Sequence, residues 1–329
     1  AMCETRIELS LSRARKVRPD ADLDFILAVA ARHLAFHARY CPDTYEEFLG
    51  IAEGAGIAPE RLLIGNGYTD FVDVVTIGSA DICECTHITA AGPATNDGLT
   101  LIGQTWDMSF SAARHVVCIR RKPSGAPATV GITTAGCLSL IGVNEAGIAI
   151  GNTNLQSTDA RPGVMYLATI NHALAATALD EAVERVTRSP RASGHFYYLG
   201  GPDGRMVGIE TSATTHATLS PDASGLLTHA NHYVDASMRA YEGDGAPSVN
   251  SVDRQGRARQ QLDAAGGALD ISAMQATLSD HQGPNPICRH TEDPAGAGTL
   301  AAAIMTPQRR EISICIGNPC SAEFHTLRP

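Results

Sequence analysis

The hydrophobic period of this chain first changes near Asp81, and that change constrains the fold more than any other feature. Up to that point the apolar residues recur at helical spacing. Residues 5–16 read as a polar, Arg-rich lead-in. A helix is predicted from Asp20 to Tyr40, with Phe25, Ile26, Val29, Ala30, Leu34 and Phe36 as its stripe and Pro42 as its stop. Asp43-Thr-Tyr-Glu46 has the spacing of a capping box and predicts a second helix to Glu53. A third opens at Ala58-Pro-Glu-Arg61, and Thr69 to Val75 reads as another helical stretch.

Beyond Asp81 the pattern alternates, the signature of half-buried strands. Strands are predicted at 86–89, 99–105, 115–120, 129–133, 138–143 and 148–152, with turns such as Asn96-Asp-Gly98 and Asn144-Glu-Ala-Gly147 between them. Helices return at 164–177 and 179–187, then strands at 195–199, 206–210, 216–219 and 226–229. Helices at 252–265 and 271–278 precede final strands at 299–305, 311–317 and 323–327. Grouped strands and grouped helices predict an α+β sandwich, two sheets between helical layers, not a doubly wound parallel sheet.

The chain has 329 residues, 44% of them hydrophobic, enough for a sizeable core. Its net charge of -10 argues against a nucleic-acid surface. No apolar run approaches the roughly 20 residues that span a bilayer, so no membrane association is expected. The first residues lack a charged region followed by an apolar one, so no secretory signal and a cytoplasmic location are expected. Nine cysteines then read mostly as buried small hydrophobes, Cys118, Cys137 and Cys315 among them.

Cys85 is different. It heads the run Thr86-His-Ile-Thr89, a thiol at a strand start. A thiol is a strong nucleophile that needs a base. Cutting the chain between Glu84 and Cys85 would supply one, because the freed α-amine has a reference pKa of about 7.7–8.0 and sits beside its own sulfur. The alternative is that Cys83-x-Cys85 packs, or binds zinc. Zinc needs two further ligands, and no Cys-x-x-Cys is present, so neither a metal nor a cofactor is expected.

Five segments, in order, resemble the acyl-coenzyme A:6-aminopenicillanic acid acyltransferase (isopenicillin N acyltransferase) family of N-terminal-nucleophile (Ntn) hydrolases. They are Glu84-Cys-Thr86, Gly103-Gln-Thr-Trp-Asp107, Gly142-Val-Asn-Glu-Ala-Gly147 leading into Gly151-Asn-Thr-Asn-Leu155, His229-Ala-Asn-His-Tyr233 and Ile287-Cys-Arg-His290. The resemblance implies an αββα four-layer sandwich and self-cleavage into a helical segment, 1–84, and a catalytic segment, 85–329. It implies that Cys85 is the nucleophile and that Asp107 holds the new amine or thiol. Asn231 would donate to the developing oxyanion, and Arg289 would stand near the nucleophile and orient Asp107. Thr86, Asn152 and Asn154 are lesser candidates for the acyl site or a second oxyanion donor. Two positions depart from the family pattern: Thr105 stands where Asn often precedes Trp-Asp, and Glu84 stands where Gly often precedes the nucleophile.

The reading is an amidohydrolase or acyltransferase that takes the acyl group of a small N-acyl compound onto Cys85. The scarcity of Lys, which a coenzyme A donor would favour, inclines it to hydrolysis. The N-terminal fragment would remain bound as a partner, and homo-oligomer formation is left open. Two rivals are an uncut Cys–His thiol hydrolase using His87, His232 or His290, and a non-catalytic zinc or binding protein.

Overall fold

The computed structural model describes residues 2–76, 84–243 and 247–329. The packing role expected of Cys83 lies outside them. The chain opens with helices α1 (Met2–Val17), α2 (Leu23–Tyr40), α3 (Pro42–Ala55), α4 (Pro59–Asn66) and α5 (Tyr68–Thr76). The expected polar lead-in is therefore helix α1. Its apolar content is only a narrow stripe, but Ile7, Leu11 and Ala14 are spaced four and three apart and fully buried, packing towards α4 and α5. Tertiary burial of such a stripe outweighs a polar composition. Helix α2 starts at an Asp22 cap whose carboxylate accepts from Phe25 N at 2.7 Å. The capping box expected at Asp43 does not form. Pro42 is already in the first turn of α3, which puts Asp43 inside the helix.

The rest runs β1 (Glu84–Ala90), β2 (Leu101–Ser109), β3 (Val116–Arg121), β4 (Thr129–Thr134), β5 (Ile141–Asn144), β6 (Ala149–Leu155), α6 (Tyr166–Leu174) and α7 (Leu179–Thr187). It continues with β7 (Gly194–Gly200), β8 (Met206–Thr211), β9 (His216–Leu219), β10 (Leu226–His229), α8 (Val249–Ala264), α9 (Ile271–Leu278), β11 (Ala297–Thr306), β12 (Glu311–Ile316) and β13 (His325–Leu327). One sheet has the order β10-β1-β2-β11-β12-β13, and the other is the meander β3 to β9. Their inner faces meet through β1 against β6 and β11 and β12 against β5. Helices α8 and α9 cover the outer face of the first sheet, where Ile88, Ala90 and Ile304 pack on Ala258, Leu262 and Leu278. Helices α6 and α7 cover the second sheet. The four layers expected from the order of elements are present.

The N-terminal helices are seated on the sandwich by polar contacts as well as apolar ones. His33 Nδ1 lies 2.9 Å from Gly163 O, and His37 Nε2 accepts from Met165 N at 3.0 Å. Burial pushes His37 down to about 3, so it stays neutral and can accept. Asn66 takes Leu138 N at 2.8 Å and donates to Gly136 O at 2.8 Å. Cys137 and Cys315 are buried as expected, but Cys118 is exposed: β3 is an edge strand and Cys118 lies on its open face. No described helix is long and apolar enough to cross a membrane.

Candidate active site

Strand alternation decides what each residue of β1 meets. His87 faces the second sheet, where its ring stacks 4.2 Å from that of Tyr198. Cys85, two residues earlier, shares that face. Its side chain lines a small cavity with apolar walls from Trp106, Met108, Leu140 and Tyr166 and polar groups from Asp107, Asn152 and Asn154. Thr86 points the other way, towards α8, and is no part of the cavity lining. Its hydroxyl oxygen accepts from Arg254 at 2.9 Å.

Arg254 is the central cation, and it was not among the expected site residues. Its guanidinium is fully buried. It donates to Cys85 O at 2.5 Å, to Thr86 Oγ1, to Asn231 Oδ1 at 3.0 Å and to Asn250 Oδ1 at 2.7 Å. Asn231 Oδ1 also accepts the main-chain N–H of Cys85 at 2.8 Å, while its amide nitrogen donates to Asn154 O at 2.9 Å. One amide hydrogen of Asn231 is thus committed, and the second is not used by that bond. A faint signal for Arg254 exists in the sequence. Ser251, Arg254, Ala258 and Leu262 form the buried stripe of α8, so a guanidinium occupies a core position of an otherwise Arg-rich, solvent-facing helix.

Asp107, on β2, pairs with Glu84 of β1 and is fully buried. Thr299 Oγ1 donates to its Oδ1 at 2.7 Å, and Oδ2 has no hydrogen-bond partner. Burial raises its carboxyl to about 7, although Arg254 and the Thr299 hydroxyl pull in the other direction. The Cys85 thiol is pushed up to about 12, first by burial and then by the Asp107 carboxylate; the Asp107 main chain, Arg254 and the Gln104 side chain offset part of that. In the uncut chain Cys85 is a neutral thiol. Gln104 is a second group the sequence did not single out. It takes the Tyr198 hydroxyl on its oxygen, and its buried amide nitrogen faces the Cys85 thiol.

Arg289 is half-buried and forms an ion pair with Glu84. Arg254 acts on Asp107 and Cys85 through its charge. Arg289 reaches Asp107 only through the main chain: its N–H donates to Thr299 Oγ1 at 2.8 Å, and that hydroxyl donates to Asp107. Asn152 Nδ2 bonds His195 Nδ1 at 2.9 Å, and the Oδ1 atoms of Asn152 and Asn154 are both buried without partners. Both residues line the cavity, where the unpartnered oxygens are acceptors. Among the described residues no histidine lines the cavity or acts on the Cys85 thiol. His87 and His229 stack in the core, where His229 also bonds Glu210 at 2.8 Å.

Two antiparallel sheets between helical layers, with a cysteine at the head of an inner strand, define an Ntn-hydrolase fold. Solved structures agree on the fold. A mutant form of conjugated bile acid hydrolase from Clostridium perfringens matches with a TM-score of 0.51 at 13% identity, over 74% of this chain and 97% of that one. Penicillin V acylase from Agrobacterium tumefaciens matches with a TM-score of 0.50 at 15% identity, over 70% of this chain and 83% of that one. The profile of the acyl-coenzyme A:6-aminopenicillanic acid acyl-transferase family matches residues 94–321, and the chain belongs to that family. It is 25% identical over 281 residues to the 40 kDa form of acyl-coenzyme A:6-aminopenicillanic-acid-acyltransferase of Emericella nidulans, covering 84% of this chain and 76% of that protein. It is an Ntn-type enzyme of the amidohydrolase and acyltransferase class.

Proposed function

We propose that the chain cuts itself between Glu84 and Cys85, dividing into segments 1–84 and 85–329, and that Cys85 then takes the acyl group of a small amide. The observation that carries this reading is the Cys85 main-chain N–H on Asn231 Oδ1 at 2.8 Å, with the thiol of the same residue in the apolar cavity. Freed by cleavage, that nitrogen is an amine already oriented beside its own sulfur. In the cut, the Cys85 sulfur attacks the Glu84 carbonyl carbon, the peptide C–N bond breaks, and the nitrogen takes a proton. Water then hydrolyses the thioester to the Glu84 carboxylate and the free thiol. Asp107, raised to about 7 and with one oxygen unpartnered, is the base within this site for the thiol proton. Arg254 fixes the Cys85 carbonyl, and the Glu84–Arg289 pair anchors the residue before the bond.

In turnover the α-amine accepts the thiol proton, sulfur attacks the substrate carbonyl, and the uncommitted amide hydrogen of Asn231 meets the oxyanion, an interaction of roughly 2.7–4 kcal/mol in comparable sites. The amine passes its proton to the leaving nitrogen, and water releases the acid from Cys85. Asp107 holds the α-amine. Asn152 and Asn154 offer acceptor oxygens to a substrate N–H. The relatives carry names of enzymes of penicillin and conjugated bile acid chemistry, which supports a small N-acyl compound as substrate here. An apolar cavity supports an apolar acyl group, and hydrolysis is preferred to transfer for want of lysines. The N-terminal helices stay attached as the second subunit, held by the contacts of His33, His37 and Asn66. The cytoplasm, a reducing compartment in which a free thiol survives, is the proposed setting.

Intact-mass analysis of active enzyme tests this. Two fragments are expected, the larger starting at Cys85, and Cys85→Ala should remain a single inactive chain. Full activity from an uncut chain would overturn the mechanism.

A further inference from the structure

Outside the active site, one cluster of soft ligands has no role in the chemistry above. His281, Cys288 and His290 lie in the loop between α9 and β11, and Cys320 lies in the turn between β12 and β13. Cys288 Sγ is 3.6 Å from Cys320 Sγ and 3.7 Å from His290 Nε2, and His290 Nε2 is 3.1 Å from Cys320 Sγ. The ligand atoms of His281, His290 and Cys320 all lie within 4.8 Å of one another, and Cys288, close to Cys320 and His290, stands outside that group on the side away from His281, so the loop would draw in around an ion. We propose that Cys288, His290, Cys320 and His281 form a tetrahedral zinc site.

The spacing supports this. With Zn–S of about 2.3 Å and Zn–N of about 2.0–2.1 Å, a tetrahedron has S···S edges of about 3.8 Å and S···N edges of about 3.6 Å. The Cys288–Cys320 and Cys288–His290 distances match these edges closely, and the His290–Cys320 distance of 3.1 Å would open by about 0.5 Å to reach its edge. Two thiols and two imidazoles make a donor set that suits zinc. His281 Nδ1 lies 3.1 Å from Ser279 O, which holds that nitrogen as the N–H and leaves Nε2 as the ligand. Both cysteines are free, and 3.6 Å is well beyond a disulfide bond of about 2.05 Å. Both histidines are exposed and Cys320 is half-buried, so an ion can enter from solvent.

Four protein ligands close the site, so the ion fastens two segments and does no chemistry itself. Those segments already touch: Asn318 Nδ2 donates to Arg289 O at 2.8 Å, and Ser279 Oγ donates to Pro319 O at 2.9 Å. Arg289 sits between two of the ligands, with Glu84 on its guanidinium and the Thr299–Asp107 bond on its main chain. The ion would hold the loop that carries Arg289. Linear spacing hides the cluster, since 281, 288, 290 and 320 match no finger-like pattern, and the expectation that the chain takes no metal is the one this proposal reverses.

The test is elemental analysis of protein purified without immobilised-metal resin, dialysed against zinc and then against metal-free buffer. About one zinc per chain is expected, and about tenfold less in Cys320→Ser and His281→Ala. Cobalt(II) titration of the full chain should give thiolate-to-cobalt charge-transfer absorption that saturates at one ion and disappears in Cys320→Ser. Should Cys320→Ser fail to fold, alkylation of the wild type decides: zinc should protect Cys288 and Cys320, and a chelator should expose them. Metal-free wild type after dialysis, zinc retained in full by the variants, or a Cys288–Cys320 disulfide in non-reducing peptide maps would each overturn the proposal.

Discussion

Arg254→Lys tests the site at its centre. The guanidinium makes four charge-assisted bonds, to Cys85 O, Thr86 Oγ1, Asn231 Oδ1 and Asn250 Oδ1. An ammonium keeps the charge but not the planar fork, and from one point it cannot reach all four acceptors. Losing two such bonds at about 1.5–3 kcal/mol each costs about 3–6 kcal/mol, a large part of a domain stability of about 5–15 kcal/mol. The same change frees the Cys85 carbonyl beside the scissile bond, and misplacement of about 1 Å costs about 100-fold in rate. Stability is best measured in the Cys85→Ala background, so that both proteins are uncut: urea unfolding of the Arg254→Lys/Cys85→Ala chain should shift by that amount. Processing is followed by intact mass after cell-free synthesis, where Arg254→Lys should lengthen the lifetime of the precursor about 100-fold. Wild-type processing together with an unchanged urea midpoint would refute the assignment of Arg254 as the residue that positions Cys85.

Asp107 binds its proton more tightly folded than unfolded, at about 7 against 3.8, so its contribution to stability is whole below about pH 4 and is lost as pH rises through about 7. That loss is up to about 4 kcal/mol, and adding Asp107→Asn to Cys85→Ala should flatten the fall in urea midpoint between pH 5 and pH 8. A slope unchanged by the substitution would remove the buried carboxylate from the argument. Glu84→Gln and Arg289→Gln break the same pair, so each should slow processing several-fold and the double variant should be no slower than the worse single; additive losses would show that the two side chains act separately. Leu140→Phe narrows the cavity and should lower kcat/KM by about tenfold for long acyl chains while sparing short ones. Equal effects on both would place the acyl group elsewhere.

Most of the architecture can be read from periodicity because each element carries its own burial pattern. Helix α7 and strands β9 and β10 begin and end where expected. The exception is α1, whose buried stripe of three residues is too thin to stand out from its arginines. Boundaries slipped where prolines were read as stops and not as starts, as at Pro42. Within the site, Cys85, Asp107 and Asn231 stood out as candidates because the short segments carrying them resemble a family in order and spacing. The structure brings these three together: Asp107 by the pairing of β1 with β2, Asn231 by the pairing of β1 with β10.

The linear order of residues was enough for the class of fold and for Cys85 at a strand start, since these depend on local alternation. The partners of Cys85 depend on which faces meet. Arg254 looks like any arginine of a solvated helix until α8 lies across β1 and turns it inward. Arg289 looks like a cation for Asp107 until Glu84 is found beside it. Four ligands separated by up to 39 positions become one cluster only when the β12–β13 turn folds against the loop after α9. Long-range packing sets such distances, and no local pattern encodes them.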